Sequence, residues 1–397
     1  MEIKKIKVVG SGTAGLMAAT FIKSVCKDLE VEIYRDPNLQ PLIVGESTQP
    51  YLSKYFDTVF GDNKDWISHC NATYKFYVKH NNWNYKGHEW IFPFCHEHLT
   101  SDIDCENKIF TYNEDNLPSS ALYAYHLQST KLQPLLLQKC ETLDINIFNQ
   151  HVKDTSLLAN LHEFVVDCRG FRGQDSRIRA SRAIINDYAL AGHIPFSEKR
   201  YFTQTFAHSV GWSWEIPLQD QLGVGRVFST KYLSIEEAKK EMYKWYGLEN
   251  LYEVRFPSRY NPNPWNRNSL KIGGAAVFIE PLESTTLTII SFMLESFCKL
   301  LKDNNFTISN KLQSIYNFGF RNMIENHISY VEGAYCISSR RDSPYWQYVT
   351  QFQDWYLKKL EKKGWPIFYG KYGYNKFFNA FGKRYLANNI KLRKNNG

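Results

Sequence analysis

Gly10-Ser11-Gly12-Thr13-Ala14-Gly15 follows an apolar run at residues 6–9 and opens a stretch with helical spacing. Glycines at these positions allow a tight turn and close approach of the backbone, so a pyrophosphate can rest on the N–H groups that begin the helix. Taken alone, the pattern is also that of a Gly-rich turn with no ligand. Its place between two strand-like runs makes it a dinucleotide fingerprint, with Gly10, Gly12, Thr13, Ala14 and Gly15 as the binding turn. The acid expected near the end of the second strand, for a ribose hydroxyl, is displaced to Asp36 in Arg35-Asp36-Pro37-Asn38, which is equally good turn chemistry. Cys95, His96, His98 and Cys105 are metal-ligating types, but they lack paired CxxC or HxxxH spacing, and no metal is expected.

The elements that must hold this turn are a strand at residues 6–9, a helix at 16–25 and a strand at 31–34, which together form a βαβ unit. Two later strand-like stretches, 164–167 and 270–276, also end in small residues. Strands that return to one ligand from distant positions imply a discontinuous nucleotide domain. Between them, alternation at 74–78, 201–216 and 224–230, rich in Trp and Tyr, predicts strands on the substrate side. Helical patterns occupy 235–246 and 315–327 and dominate after Leu287. No repeat or Pro/Gly/Ser-rich linker divides the chain.

Composition narrows the class. A chain of 397 residues with 43% hydrophobic and 22% charged residues folds as a large globular protein and is too long for a lone binding module. Aromatic residues reach 16%, which favours pockets for flat ligands. The net charge of +8 is dispersed, with a basic cluster only at Lys391, Arg393 and Lys394, so no nucleic-acid partner is expected. There is no signal-peptide core and no run of 18 apolar residues, so the expected location is the cytoplasm, with no membrane span. The 8 scattered cysteines then read as buried thiols.

Four further segments sharpen this reading: Val44-Gly45-Glu46-Ser47-Thr48; Asn71-Ala72-Thr73-Tyr74-Lys75 with Trp83 after it; Gly211-Trp212-Ser213-Trp214-Glu215-Ile216-Pro217; and Pro281-Leu282-Glu283-Ser284-Thr285. With the GxGxxG turn and a late Arg340-Arg341-Asp342-Ser343-Pro344-Tyr345-Trp346, their order resembles that of the flavin-dependent halogenases of the tryptophan halogenase type. WxWxIP, here Trp212, Trp214 and Pro217, is the most specific element, although two tryptophans spaced by two are also same-face core residues of a strand.

The resemblance implies an α/β, Rossmann-like flavoprotein of the monooxygenase type with an interleaved β-rich and helical substrate region. Its flavin-binding segments would lie near residues 1–60, 120–192 and 265–305, and its substrate-side segments near 61–119, 193–264 and 306–397. It implies FAD, used as FADH2 delivered by a separate NAD(P)H-dependent flavin reductase, and halide as co-substrate. Hypohalous acid formed at the flavin would reach Lys75, and Glu283 would assist at an aromatic substrate. Glu46, Ser47, Thr48, Val152 and Ser284 would join the flavin site, and Thr285 and Thr286 the halide site. A lysine suits the oxidant because it can donate a hydrogen bond to the oxygen of hypohalous acid or take up the halogen as a haloamine. A carboxylate can accept the ring proton. Without this context Lys75 reads as a surface lysine and Glu283 as an acid capping a helix.

Two departures bear on specificity. The family often has glycine where Thr286 stands, which puts the halide preference in question. Only residues 347–397 follow Trp346, so free tryptophan is not the expected substrate. The rival readings are a flavin hydroxylase on the same scaffold and a non-catalytic flavin-binding protein. Nothing in the sequence sets the oligomeric state, so monomer and homo-oligomer both stay open.

Overall fold

In the computed structural model, residues 1–39, 46–94, 113, 115, 122–158, 160–173 and 178–363 are described. In chain order the strands are β1 (Lys5–Val9), β2 (Glu30–Arg35), β3 (Thr73–Lys75), β4 (Tyr77–Asn81), β5 (Glu89–Pro93) and β6 (Ala124–His126). Then follow β7 (Asn146–Asn149), β8 (Glu163–Asp167), β9 (Ile178–Arg179), β10 (Tyr188–Pro195), β11 (Phe202–Ala207) and β12 (Trp212–Pro217). The last are β13 (Gln221–Phe228), β14 (Tyr252–Arg255), β15 (Arg259–Tyr260), β16 (Trp265–Asn266), β17 (Ser269–Lys271) and β18 (Val277–Phe278). The chain divides into two compact units, each assembled from three separate segments.

The first unit comprises Met1–Ala72, Leu127–Ile178 and Arg259–Asn322. Its six-stranded sheet runs β16-β17-β8-β1-β2-β7, parallel throughout except for the β16–β17 pair. Buried parallel strands are apolar on both faces. Accordingly Ile6, Val8, Phe164, Val165 and Val166 are fully buried, each contributing about 1.5–3 kcal/mol of transfer free energy. The helix Thr13–Val25 leads from β1 to β2, while β8 lies on the other side of β1. This divergence is where open parallel sheets bind ligands, at the carboxyl ends of the strands. The helix Ser129–Thr142 is not among those that the sequence pattern predicts, and Pro134 lies inside it.

The second unit comprises Thr73–His126, Arg179–Ser258 and Met323–Gly397. Its seven-stranded sheet runs β14-β10-β13-β12-β11-β4-β5, with β11–β4 the parallel pair, and β3 and β6 form a separate antiparallel pair. The stretch expected as one strand at 201–216 is the hairpin of β11 and β12. The stretch at 74–78 is β3 and β4, broken at Phe76. The helix Ile235–Tyr246 matches the expected range: Ser234 and Glu237 form a capping box at its start, and Gly247 is left-handed at its end. The helix expected at 315–327 is the longer Asn310–Cys336. Residues 326–336 are buried on every side, so the amphipathic period that reveals a helix in sequence is lost there. No helix among the described residues is long and apolar enough to cross a membrane.

Candidate active site

In the first unit the GxGxxG turn sits at the end of β1, held on both flanks. Gly10 N–H donates to the carbonyl of Tyr34 in β2 (2.8 Å), and Cys168 N–H after β8 donates to the Val9 carbonyl (2.8 Å). Its three glycines have different reasons to be glycine. Gly10 has φ +110°, and a Cβ there would lie 2.6 Å from the Cys168 carbonyl oxygen. A Cβ at Gly15 would lie 1.8 Å from the Gly10 carbonyl oxygen. Both are therefore required by the protein's own packing. Gly12 is extended and a Cβ there meets no atom within 4 Å. The space in front of Gly12 is left open by the fold, as close approach of a pyrophosphate requires, so the turn fits a dinucleotide. Thr13 begins the helix, and its Oγ1 accepts from Gln133 Nε2 (3.1 Å); Ala14 follows it.

Asp36 lies one residue beyond β2, and its carboxylate accepts from Asn38 N–H (2.9 Å) and faces His151 Nδ1 at 2.5 Å. Val152 is a core residue, packed with Val9 and Val165. Glu46, Ser47 and Thr48 are all buried; the Glu46 carbonyl accepts from Leu127 N–H (2.7 Å). Val44 and Gly45 of the same motif lie outside the described residues, as do Cys95, His96, His98 and Cys105 and the basic tail. Gln49, which the sequence did not single out, donates from Nε2 to the Glu283 carbonyl (2.7 Å), joining the two motifs of this unit.

Pro281–Glu283 forms a single 3₁₀ turn, Ser284 is left-handed, and Thr286 is the first residue of the helix Thr286–Asp303. The first N–H groups of a helix have no partner within it and carry partial positive charge. The Thr285 hydroxyl, fully buried, has no hydrogen-bond partner among the described residues. Unmatched donors at a helix start are suited to a small anion. Glu283 is itself buried, at 3% exposure.

In the second unit Lys75 ends β3 with no solvent exposure, its Nζ 5.2 Å from the centre of the Phe94 ring. Two buried histidines share its surroundings. Burial first, and the charge of Lys75 second, push His80 down to about 3 and His126 well below the usual imidazole value. His80 Nδ1 pairs with Thr205 Oγ1 (2.9 Å), to which Trp83 Nε1 also donates (3.0 Å). Neither histidine is marked by sequence spacing, because what groups them with Lys75 is strand pairing.

Trp212 and Trp214 lie on one face of β12 with ring centres 5.8 Å apart. Trp214 lies over Gly225 of β13, where a Cβ would come within 2.1 Å of the indole. The motif closes at Pro217, whose carbonyl accepts from Thr73 Oγ1 (2.7 Å), two residues before Lys75. The second unit thus brings WxWxIP and the lysine strand into direct contact. Further on, Arg340 holds Asp342 by two bonds (2.9 and 2.7 Å) and covers the Trp346 ring, while Ser343 caps the helix Pro344–Thr350.

The tryptophan halogenase family profile matches residues 5–362. The chain belongs to the tryptophan halogenase family. It is 26% identical to the tryptophan 7-halogenase KtzQ of Kutzneria sp. (strain 744), over 92% of this chain and 83% of that one. It is 25% identical to the tryptophan 7-halogenase RebH of Lentzea aerocolonigenes, over 87% and 78%. Its fold matches the crystal structure of a tryptophan 6-halogenase from Streptomyces toxytricini with a TM-score of 0.84 at 22% identity, covering 98% of this chain and 91% of that one. A flavin-dependent halogenase from Xanthomonas campestris matches at 0.83 and 20% identity, over 96% and 89%. This halogenase therefore has the flavoprotein α/β fold that its motifs imply.

Proposed function

We propose that this halogenase takes FADH2 from a separate NAD(P)H-dependent reductase. With oxygen and chloride, bromide or iodide it would halogenate an aromatic or electron-rich small molecule, the oxidant being held at Lys75. The first unit would bind the flavin and the second would carry most of the substrate side. Reduced flavin, when bound, supplies two of the four electrons that take oxygen to water and hypohalous acid, and the halide supplies the other two.

The observation that carries this reading is the burial of Lys75 beside two uncharged histidines and the WxWxIP strand. A buried amine is costly for stability alone, which makes a chemical role the better account. Lys75 Nζ as an ammonium donates to the oxygen of hypohalous acid; as an amine it exchanges N–H for N–halogen and releases water. The halogen then replaces a ring hydrogen, and Glu283 takes that proton. Gly12 leaves room for the pyrophosphate, and Thr285 and Thr286 would meet the halide. Relatives named for tryptophan make an indole a natural member of the substrate class.

The test supplies FAD, a flavin reductase and each halide separately, with an aromatic library read by mass spectrometry. Lys75→Met, which keeps the volume, is expected to go on consuming reduced flavin and yield no halogenated product. Halogenation by this variant at the wild-type rate would remove Lys75 from the mechanism. Hydroxylated products formed without halide would favour the hydroxylase.

A further inference from the structure

His126 connects four strands of the second unit that are far apart in sequence. In the β3–β6 pair Thr73 stands opposite His126 and Lys75 opposite Ala124. Residues two apart on a strand share a face, so Thr73 and Lys75 point the same way. Thr73 Oγ1 donates its hydrogen to the Pro217 carbonyl (2.7 Å) and must therefore accept from His126 Nδ1 (3.1 Å). The proton of the neutral ring is thus on Nδ1, leaving Nε2 to accept from Thr203 Oγ1 (2.9 Å). One imidazole in one tautomer completes a chain from Thr203 of β11 through β6 and Thr73 of β3 to the end of β12. On the other side of Lys75, Phe76 N–H donates to the Tyr201 carbonyl (2.8 Å) and its carbonyl accepts from Phe94 N–H (3.0 Å). The lysine is clamped before and after.

We infer that His126 is a positioning residue for Lys75: through Thr73 it fixes the strand from which the Nζ receives and delivers the halogen. This rests on the halogenase reading above. A lysine reaches its target through four rotatable bonds, so small shifts of its Cα are magnified at Nζ, and misplacement by about 1 Å can cost on the order of 100-fold. Neutrality is part of the device. An imidazolium would have to donate from both nitrogens, breaking the bond from Thr203, and would set a second cation beside Lys75. Burial, followed by the charges of Lys75 and Arg200, opposes that protonation.

His126→Asn places an amide near the Nδ1 position and keeps the donor to Thr73. His126→Gln reaches only the Nε2 position, His126→Phe keeps neither, and Thr73→Val removes the link itself. The full-length enzyme is assayed for halogenated product per reduced flavin consumed, with a dimedone trap for escaped hypohalous acid. We expect the Asn variant to stay close to wild type. The Gln, Phe and Thr73→Val variants should lose on the order of 10- to 100-fold in that ratio, consume flavin at the wild-type rate and release the missing oxidant to the trap. In flavin-free protein, nitrogen-15 NMR should show His126 neutral and protonated on Nδ1 at about pH 6.5, where a free imidazole is half protonated. A wild-type product ratio in His126→Phe, an equal loss in all four variants with flavin consumption falling alongside, or an Nε2–H tautomer would overturn the inference while leaving the halogenase reading in place. No product from the wild type under any halide would overturn both.

Discussion

Lowering the pH from about 7.5 to 5 should destabilise the second unit, and the size of the effect can be worked from four histidines. His80 and His327 are buried by their neighbours and pushed down to about 3 and about 4; His208 goes to about 2, and His126 well below its ordinary value. In each case burial is the leading cause, and all four belong to the second unit. The unfolded chain takes up a proton at each near pH 6.5, whereas the folded unit does not, so unfolding binds protons and is favoured as pH falls. The stability these residues contribute is fully present above pH 6.5 and is lost progressively below it. At pH 5 each neutral histidine costs about 2 kcal/mol relative to pH 7.5, or about 8 kcal/mol for four, comparable with the whole stability of a typical domain. Urea midpoints followed by tryptophan fluorescence across this range should fall steeply. His327→Leu, which gives up an Nδ1–H bond to the Met323 carbonyl within one helix (2.9 Å), should flatten the slope by up to one proton, about 1.4 kcal/mol per pH unit. A midpoint that does not move between pH 7.5 and 5 would refute the reasoning.

The glycine turn gives a second test: Gly15→Ala, whose Cβ has no room, should destabilise the flavin-free protein by about 3 kcal/mol and so lower its melting temperature. Gly12→Leu should leave that melt nearly unchanged but weaken flavin binding at least about 100-fold; unchanged affinity by fluorescence titration would remove the phosphate role. Glu283→Gln should retain some product, at a rate lower by about 100-fold, because a halogenated ring cation also loses its proton to water; single-turnover product analysis reads this. Thr286→Gly should shift the halide preference toward chloride in competition assays, and an unchanged chloride-to-bromide ratio would remove Thr286 from the halide site.

What was legible in the sequence was local. The turn at Gly10–Gly15 could be read because its geometry is dictated by adjacent residues, and the βαβ unit because alternation and helical spacing change over a few positions. The helix Ile235–Tyr246 was readable to the residue because both caps are written beside it. Where tertiary burial replaces local pattern, the reading fades: the second half of Asn310–Cys336 is buried all round, polar Asn326, His327, Ser329 and Glu332 included, and Pro134 masks a helix that tolerates it. The motif order was enough to point to the family, but not to the contact between Pro217 and Thr73, which depends on β3 and β12 meeting in space.

Lys75 shows why a candidate site can be named from sequence and still not be understood from it. Its residue type favours the surface, and only the neighbouring motifs argued otherwise. Folding places it at zero exposure beside His80 and His126, which burial first and the charge of Lys75 second hold uncharged, while threonines of β3 and β11 pair with their rings. Each of those features reduces stability when taken singly, since an apolar residue at position 75 and aromatic rings at 80 and 126 would fill the same volume without a desolvated cation. Stability alone would not select such a group. Under the proposed function, a requirement for one amine, fixed in place and shielded from water while it handles a reactive halogen, would account for all three residues together.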